Sequence, residues 1–468
     1  MMSSKTRHIA CALASLAALA ACSSAPEPRR YEPPLAAGFA NGPADAAPAG
    51  EPVAEFWRGF QDAQLDTLIE RALKANSELR IAAANLQEAR ALGRFADAQR
   101  LPSVGLAAGA ARLRAQNDQG QPETRNAYTL GFDMAWEADL FGRLSGQQRA
   151  AAAGVLAGEA GLRAVRLSVA AEVARNYFEL RGLQEQLRVA RAALQTQEAA
   201  LKLVLGRQEA GRGTALDSER ARALVQSTAA SVPALEAALL RSRYRLAVLS
   251  GQPPTALDQE LAEPRPLPGL KAVALGGIGT PQALLRRRPD VQAAEAQAAA
   301  AAARAGVARA DLFPRITLGG TLGQNASRLG RLDEGASYAY NLGAQLVWNL
   351  LDFGRIRAQI AAADARSEAV LVGYERTVLN ALEETEGALA AYTRSQQQAQ
   401  HLFEAARAAE KAAAIARERF GVGVSDFLAV LDAERELLAA RDRLAQSQTA
   451  AATSLVAVYK ALAGGWGG

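Results

Sequence analysis

The chain repeats itself at one constant offset in residue number, and no other feature constrains its fold as tightly. Pro102 and Pro314 each precede an alternating apolar stretch, which sets the offset at 314 − 102 = 212. Phe141-Gly142-Arg143 recurs at that offset as Phe353-Gly354-Arg355, and Trp136 and Gly211 recur as Trp348 and Gly423. The stretch opening at Ser77 (SELRIAAA) likewise matches the one opening at Pro289 (PDVQAAEA). None of these matches needs a gap, so one supersecondary package is used twice. A Pro- and Gly-rich linker from Gly251 to about Pro281 joins the halves. The expected organisation is a first repeat over 56–250, a linker over 251–287, a second repeat over 288–463 and a Gly-rich tail over 464–468.

Each half predicts one β-hairpin. From Tyr128 to Leu140 the residues alternate: Tyr128, Leu130, Phe132, Met134, Trp136 and Leu140 share one face. Thr129, Gly131, Asp133, Ala135, Glu137 and Asp139 share the other. Period two with bulky apolar groups on one side is the mark of a strand between unlike environments. The second copy keeps the phase through Tyr340, Leu342, Ala344, Leu346 and Trp348. Shorter alternations follow the prolines, at Val104, Leu106 and Ala108 and at Ile316, Leu318 and Leu322. Strands are expected at about 103–113, 127–140, 315–324 and 337–350, with polar loops over 112–127 and 324–337.

The remainder predicts long helices. Arg143 to Ala210 holds no proline, and Arg355 to Phe420 matches it; at ~1.5 Å per residue either run reaches roughly 100 Å. Leu180, Leu183, Leu187, Ala190, Leu194, Leu201 and Val204 follow a heptad seam, with Gln197 as the exception. Leu162, Val165, Val169 and Val173 step closer to an 11-residue repeat, whose supercoil has the opposite hand.

The first residues address the protein. Lys5 and Arg7 precede a small apolar run from Ile9 to Ala21, too short for the ~20 residues of a membrane-spanning helix, so 1–21 reads as a removed signal peptide. Leu19-Ala20-Ala21-Cys22 resembles a bacterial lipobox, which makes Cys22 the lipidation site and 22–55 a lipid-anchored segment. The only other cysteine, Cys11, and His8 leave with the signal peptide. His401 then stands alone in a polar helix, so no Cys/His metal site is expected. The formal charge is +5, or +3 once Lys5 and Arg7 are removed, and opposite charges alternate along the helices without clustering, so nucleic-acid binding has little support. No phosphate-cradling loop and no nucleophile-plus-base arrangement is present, so neither an enzyme nor a cofactor is expected.

Four strands cannot close a barrel, and open edges in lipid cost several kcal/mol per unsatisfied backbone group. An eight-stranded barrel is filled by its own side chains, so a solute-wide pore needs at least three copies, or twelve strands. The bulky faces would then meet lipid, and Asp133, Glu137 and Asp139 the barrel lumen. A soluble sheet packed on helices is the competing reading of the same alternation.

At this point the chain resembles the outer-membrane factor (TolC/OprM-like) family, in particular the lipoprotein branch of RND-type efflux systems. Phe56-Trp57-Arg58-Gly59-Phe60 with Asp62, Leu65 and Leu68, then Arg288-Pro289-Asp290, the paired Phe-Gly-Arg segments and the ending near Arg419-Phe420 carry the resemblance over nearly all of the mature chain. It implies an α+β membrane protein, a homotrimer with a 12-stranded outer-membrane β-barrel continued by a 12-helix periplasmic α-barrel and an equatorial belt. It also implies a periplasmic adaptor and an inner-membrane RND-type transporter as partners. A type I protein secretion duct and a pore-less coiled-coil lipoprotein are the alternatives.

The resemblance places the periplasmic gate at the turns between long and short helices. The turns Gly211-Arg212-Gly213-Thr214 and Gly421-Val422-Gly423-Val424-Ser425 would meet the adaptor. Leu216, Asp217, Leu428, Asp432 and Arg435 match the family's gate positions. Leu428 is expected as an apolar ring and Asp432 as an anionic ring, with Asp217 and Arg435 (and Arg220) forming ion pairs of the closed state. Where some members carry a second aspartate this chain has Ala429, which leaves one anionic ring, helped at most by Asp426.

Overall fold

The structure, a computed structural model, describes residues 35–42, 55–116, 118–267 and 278–463. Cys22 and the 464–468 tail lie outside the described residues. The chain forms two compact units. One holds Asn85–Glu159 and Ala293–Arg376; the other holds the described residues of Pro33–Ala84, Ala160–Gln292 and Thr377–Gly468.

The helices repeat in length as well as in sequence. The first half has α1 (Ala63–Ala75), α2 (Ser77–Ala98, 22 residues), α3 (Arg143–Glu209, 67 residues) and α4 (Ala215–Leu249, 35 residues). The second has α5 (Pro281–Arg287), α6 (Pro289–Ala310, 22 residues), α7 (Arg355–Gly421, 67 residues) and α8 (Phe427–Ala461, 35 residues). Each long helix starts on a carboxylate. Asp139 accepts from the Leu144 and Ser145 amides at 3.0 and 2.7 Å, and Asp352 from the Gly354 and Ile356 amides at 3.1 and 2.7 Å. These bonds satisfy amides that a helix start leaves open, and the negative charge suits the positive end of the dipole.

The strands β1 (Ser103–Gln116), β2 (Pro122–Ala138), β3 (Arg315–Ala326) and β4 (Tyr338–Val347) form one antiparallel sheet in the order β1-β2-β3-β4. Both expected hairpins are present, and β2 pairs with β3 to join the halves within one sheet. The first hairpin outgrows its expected loop, because Arg112 pairs with Asn126 and Arg114 with Thr124. Polar residues there keep the two-residue alternation without an apolar signal. β4 is shorter than expected: Trp348 lies past its end, and its indole donates to the Leu312 carbonyl at 3.0 Å. Its repeat equivalent Trp136 donates to the Arg100 carbonyl at 2.9 Å.

The core of the second unit gathers Phe56, Trp57, Phe60, Leu65, Leu68, Tyr177, Phe178 and Tyr459 with Leu257, Leu261 and Leu284 of the linker segment. Phe56 stacks on Tyr459 at 5.1 Å and Phe60 meets Phe178 edge-on at 4.8 Å, the offset and T-shaped geometries aromatic rings favour. Asp62 caps α1 and accepts the Tyr177 hydroxyl at 2.5 Å, which ties the opening segment to α3. The halves are tied alike at their short helices. Asn76 donates to the Leu249 carbonyl and, at the equivalent place in the second half, Arg288 donates to the Ala461 carbonyl, both at 2.9 Å.

Candidate functional site

Two places in the structure carry expected functional residues, the sheet in one unit and the paired helix turns in the other. In the sheet, residues opposite one another share a face. The even-numbered face aligns Leu106 with Phe132, Phe132 with Leu322, and Leu322 with Tyr340. The odd-numbered face aligns Gly105 with Asp133, Asp133 with Thr321, and Thr321 with Asn341. Large apolar groups thus cover one side while glycine, threonine, asparagine and aspartate cover the other. Leu106, Phe132, Tyr340 and Leu342 are exposed, the last two by 84% and 78%, so the chain's own described residues do not cover that side. Opposite them, Asp133, Thr317, Thr321, Asn341 and Gln345 line a shallow polar hollow of about 360 Å³, opened by Gly319 and Gly343.

Two of the three expected lumen carboxylates need restating. Asp133 sits on the polar face as expected. Glu137 is on that face but is held by Arg143 through two hydrogen bonds of 2.8 and 2.6 Å, so its charge is neutralised locally. Asp139 is a correction: β2 ends at Ala138, and Asp139 turns away from the strand to cap α3. The period-two pattern includes it by phase alone, while the open amides of α3 decide where its carboxylate goes.

At the turns, Gly211 (φ 72°) and Gly423 (φ 80°) end the long helices. Each leaves the chain in the left-handed region that glycine enters without a Cβ clash. The capping bonds of the two turns are equivalent: Arg212 to Arg207 and Gly211 to Gln208 at 2.8 and 3.0 Å, then Val424 to Arg419 and Gly423 to Phe420 at 2.9 and 3.0 Å. Such paired backbone bonds satisfy the last carbonyls of a helix. Thr214 and Asp217 form a reciprocal capping box on α4, and Asp426 caps α8 at the Ala429 amide.

The two turns, with Gly213, Gly421, Arg207, Phe420 and Phe427, line a cleft of about 1020 Å³. Beneath it Val204, Ala221, Leu224, Phe420, Phe427, Val430 and Leu431 form a small apolar core. Phe427, Val430, Leu431 and Glu434 face inward on α8, which leaves Leu428, Asp432 and Arg435 exposed together on the other face. Leu216, the repeat equivalent of Leu428, is likewise exposed. Within one chain Asp217 pairs with neither Arg435 nor Arg220. Its carboxylate takes the Thr214 amide and hydroxyl at 3.2 and 2.7 Å, because the helix start is three residues away. Arg435 lines a separate cleft with Thr228, Leu438 and Asp442.

Sequence reasoning missed Arg207. Its guanidinium donates to the Phe420 and Gly421 carbonyls at 3.0 and 3.1 Å and lies 4.1 Å from the Phe420 ring centroid. A side chain from one turn thus closes the helix end of the other. A cation in the last turn of a helix was the available signal; a partner in the opposite half of the chain was not.

Residues 68–252 and 280–464 each match the family described as outer membrane efflux protein. Over 461 residues the chain is 34% identical to the pyoverdine export outer membrane protein OpmQ of Pseudomonas aeruginosa, covering 96% of this chain and 95% of that one. Over 476 residues it is 32% identical to the toluene efflux pump outer membrane protein TtgF of Pseudomonas putida, covering 99% and 97%. Among solved structures, the outer-membrane channel OprN superposes with a TM-score of 0.90 at 38% identity, covering 95% of this chain and all of the other.

Proposed function

This chain belongs to the outer membrane efflux protein family and is the outer-membrane channel of an efflux pump; on that premise we propose that three copies form one passive duct with a gated periplasmic mouth. The observation that carries the reading is the uncovered two-faced sheet with free edges at β1 and β4. β1 and β4 hold 14 and 10 residues, and about half of each edge strand's backbone groups point away from the sheet. That leaves on the order of twenty polar groups to satisfy, at several kcal/mol each in hydrocarbon. The total far exceeds the ~5–15 kcal/mol that holds a domain folded, so a lone copy cannot sit in lipid. Three copies supply twelve strands and join edge to edge, with Leu106, Phe132 and Leu342 toward lipid and Asp133 toward water. Helices α3, α4, α7 and α8 of each copy would line a twelve-helix tunnel.

Cys22 is proposed to carry the lipid that anchors 22–55, with 1–21 removed, and the linker over 251–287 to form part of a belt around the tunnel. The duct does no chemistry of its own; an inner-membrane RND-type transporter supplies the energy and a periplasmic adaptor docks on the Gly211–Gly213 and Gly421–Gly423 turns. The names of OpmQ and TtgF specify unlike cargoes, pyoverdine and toluene. A wide watery duct that leaves selection to its pump accounts for both, and the same is proposed here. At the mouth, Leu428 and Asp432 from three copies make an apolar and an anionic ring, and Asp217 and Arg435 pair between copies in the closed state. Three carboxylates around one axis favour cations.

Planar-bilayer recording tests this. The purified chain should conduct, and Asp432→Ala should raise single-channel current and lower cation preference. A protein that never conducts removes the duct; an unchanged current in the variant removes Asp432 from the gate.

A further inference from the structure

Parity assigns a face to every strand residue, because all three ladders pair even numbers with even and odd with odd. The even-numbered side is the apolar one, and among the strand residues it carries two charges, Arg112 and Arg114. Every other charged residue of the four strands faces the opposite way: Glu123, Arg125, Asp133, Glu137 and Arg315 are all odd-numbered. Two arginines with no carboxylate on an otherwise apolar side need a physical reason.

Their height on the sheet supplies one. Arg112 pairs with Asn126 and Arg114 with Thr124, on a two-stranded ribbon that runs past the end of β3, where Ala326 pairs with Tyr128. On the even side, Tyr128 and Tyr338 mark the foot of this ribbon and Trp136 marks the end of β2 nearer α3. From Tyr128 to Trp136 the strand advances ~27 Å at ~3.4 Å per residue, about 20 Å in height at the tilt of barrel strands. That approaches the ~25 Å apolar band of outer-membrane barrels, with its aromatic borders. Arg112 and Arg114 lie opposite the second and fourth residues beyond Tyr128, so they stand ~5–10 Å above the border. The headgroup layer of a bilayer is about 5–8 Å deep on each side. A lipid-facing arginine is costly at the bilayer midplane and nearly free at the interface, so the two occupy the level of that side where charge is tolerated.

The chemistry there is that of a phosphate site. Both arginines are exposed, and neither forms an ion pair with a described residue. The ribbon's strand carboxylate, Glu123, lies opposite Ala115 on the other side, and Asp118 lies in the connecting turn. Residues two apart on one strand project ~7 Å from each other, so two guanidinium forks can converge on one phosphate or take neighbouring ones. Each fork matches two phosphate oxygens at once, which an ammonium does not. Asn126 and Thr124 set uncharged donors beside them. The second hairpin has no copy of this arrangement: at the offset of 212 its residues are Gln324 and Ala326, with Tyr338 in place of Asn126.

We propose that Arg112 and Arg114 bind the phosphate of an outer-leaflet glycolipid and hold its headgroup against the outside of the duct. This rests on the membrane-embedded ring proposed above, with the even side toward lipid. One site per copy gives three around the ring, all on first hairpins. Phosphate offsets the paired positive charge, and the contact fixes how far the sheet rises through the outer leaflet.

Titration of the purified, detergent-extracted full chain with diphosphoryl lipid A tests this, with bound lipid read by native mass spectrometry and the dephosphorylated lipid run in parallel. Each basic residue beside an anionic lipid surface contributes about a factor of five. Arg112→Gln with Arg114→Gln should therefore weaken binding roughly thirty-fold. Arg112→Lys with Arg114→Lys, which keeps the charge, should retain most of the affinity. Arg125→Gln, on the same ribbon and the opposite side, should bind as wild type. The dephosphorylated lipid should not distinguish wild type from the double glutamine variant. Planar-bilayer conductance of the same preparations separates the failures. A conducting protein overturns the site, and leaves the duct standing, if the double glutamine variant keeps wild-type affinity, if Arg125→Gln loses as much, or if the dephosphorylated lipid binds equally well. A wild-type protein that never conducts overturns both.

Discussion

Removing the Arg207 side chain should loosen the neighbouring turn by about 2 kcal/mol, the joint contribution of a charged hydrogen bond and a ring contact. Arg207→Ala deletes one Nη2 donor shared between the Phe420 and Gly421 carbonyls, at 3.0 and 3.1 Å, and a guanidinium 4.1 Å from the Phe420 ring. A hydrogen bond from a charged donor contributes ~1.5–3 kcal/mol when buried. Arg207 is half-buried, so screening reduces that to about 1–1.5 kcal/mol. The ring contact adds ~0.5–1 kcal/mol. Together, about 2 kcal/mol is roughly a thirty-fold shift toward the open turn, since ~1.4 kcal/mol is tenfold. The amides of Val422, Gly423 and Val424 report it directly, because they donate to Glu418, Phe420 and Arg419 at the end of α7. Hydrogen exchange at these three should quicken by about that factor while amides within the Phe56–Tyr459 core stay unchanged. Arg207→Lys, which keeps the charge and loses the planar fork, should fall between. Equal protection in wild type and Arg207→Ala would refute the clamp, and so would a uniform rise across the chain.

Two further substitutions probe the helix packing. A Cβ built on Gly182 falls 2.0 Å from the Thr449 hydroxyl oxygen, so Gly182→Ala should cost ~1–3 kcal/mol of stability, seen as a lower thermal midpoint; Thr449→Ala in the same chain should restore most of it. Gln197 is only 3% exposed with neither amide atom hydrogen-bonded within the chain, so Gln197→Leu should raise stability by an amount on the order of 1–3 kcal/mol, and a lowered thermal midpoint would show that the amide has a partner outside the single chain.

Much of this fold was legible in the sequence because its signals are periodic and doubled. The internal repeat located both hairpins, and the proline-free runs predicted helices that prove to be 67 residues long in each half. Where the reading fell short, a second interaction competed with the periodic one. Arg112 and Arg114 alternate in a strand as faithfully as leucines, but polar residues on both faces look like a loop. Asp139 keeps the phase of β2, yet the amides of Leu144 and Ser145 recruit it. Within one chain Thr214, three residues away, engages the Asp217 carboxylate, a local bond that the sequence reading did not name. The pairing of β2 with β3 was invisible, since alternation says which way a strand faces and nothing about which strand lies beside it.

The bare apolar face of the sheet has a consequence for how the protein is made. A freshly synthesised copy in water shows Leu106, Phe132, Tyr340 and Leu342 on one side and two unpaired strand edges, the attributes of a surface that recruits further strands indiscriminately. The helices can fold early because their hydrogen bonds are local, whereas on the three-copy reading proposed above the strands reach safety only beside another copy in lipid. On that reading biogenesis has to keep these segments shielded until partners and bilayer are both at hand, and production that outruns this shielding should end in aggregates and not in soluble single subunits.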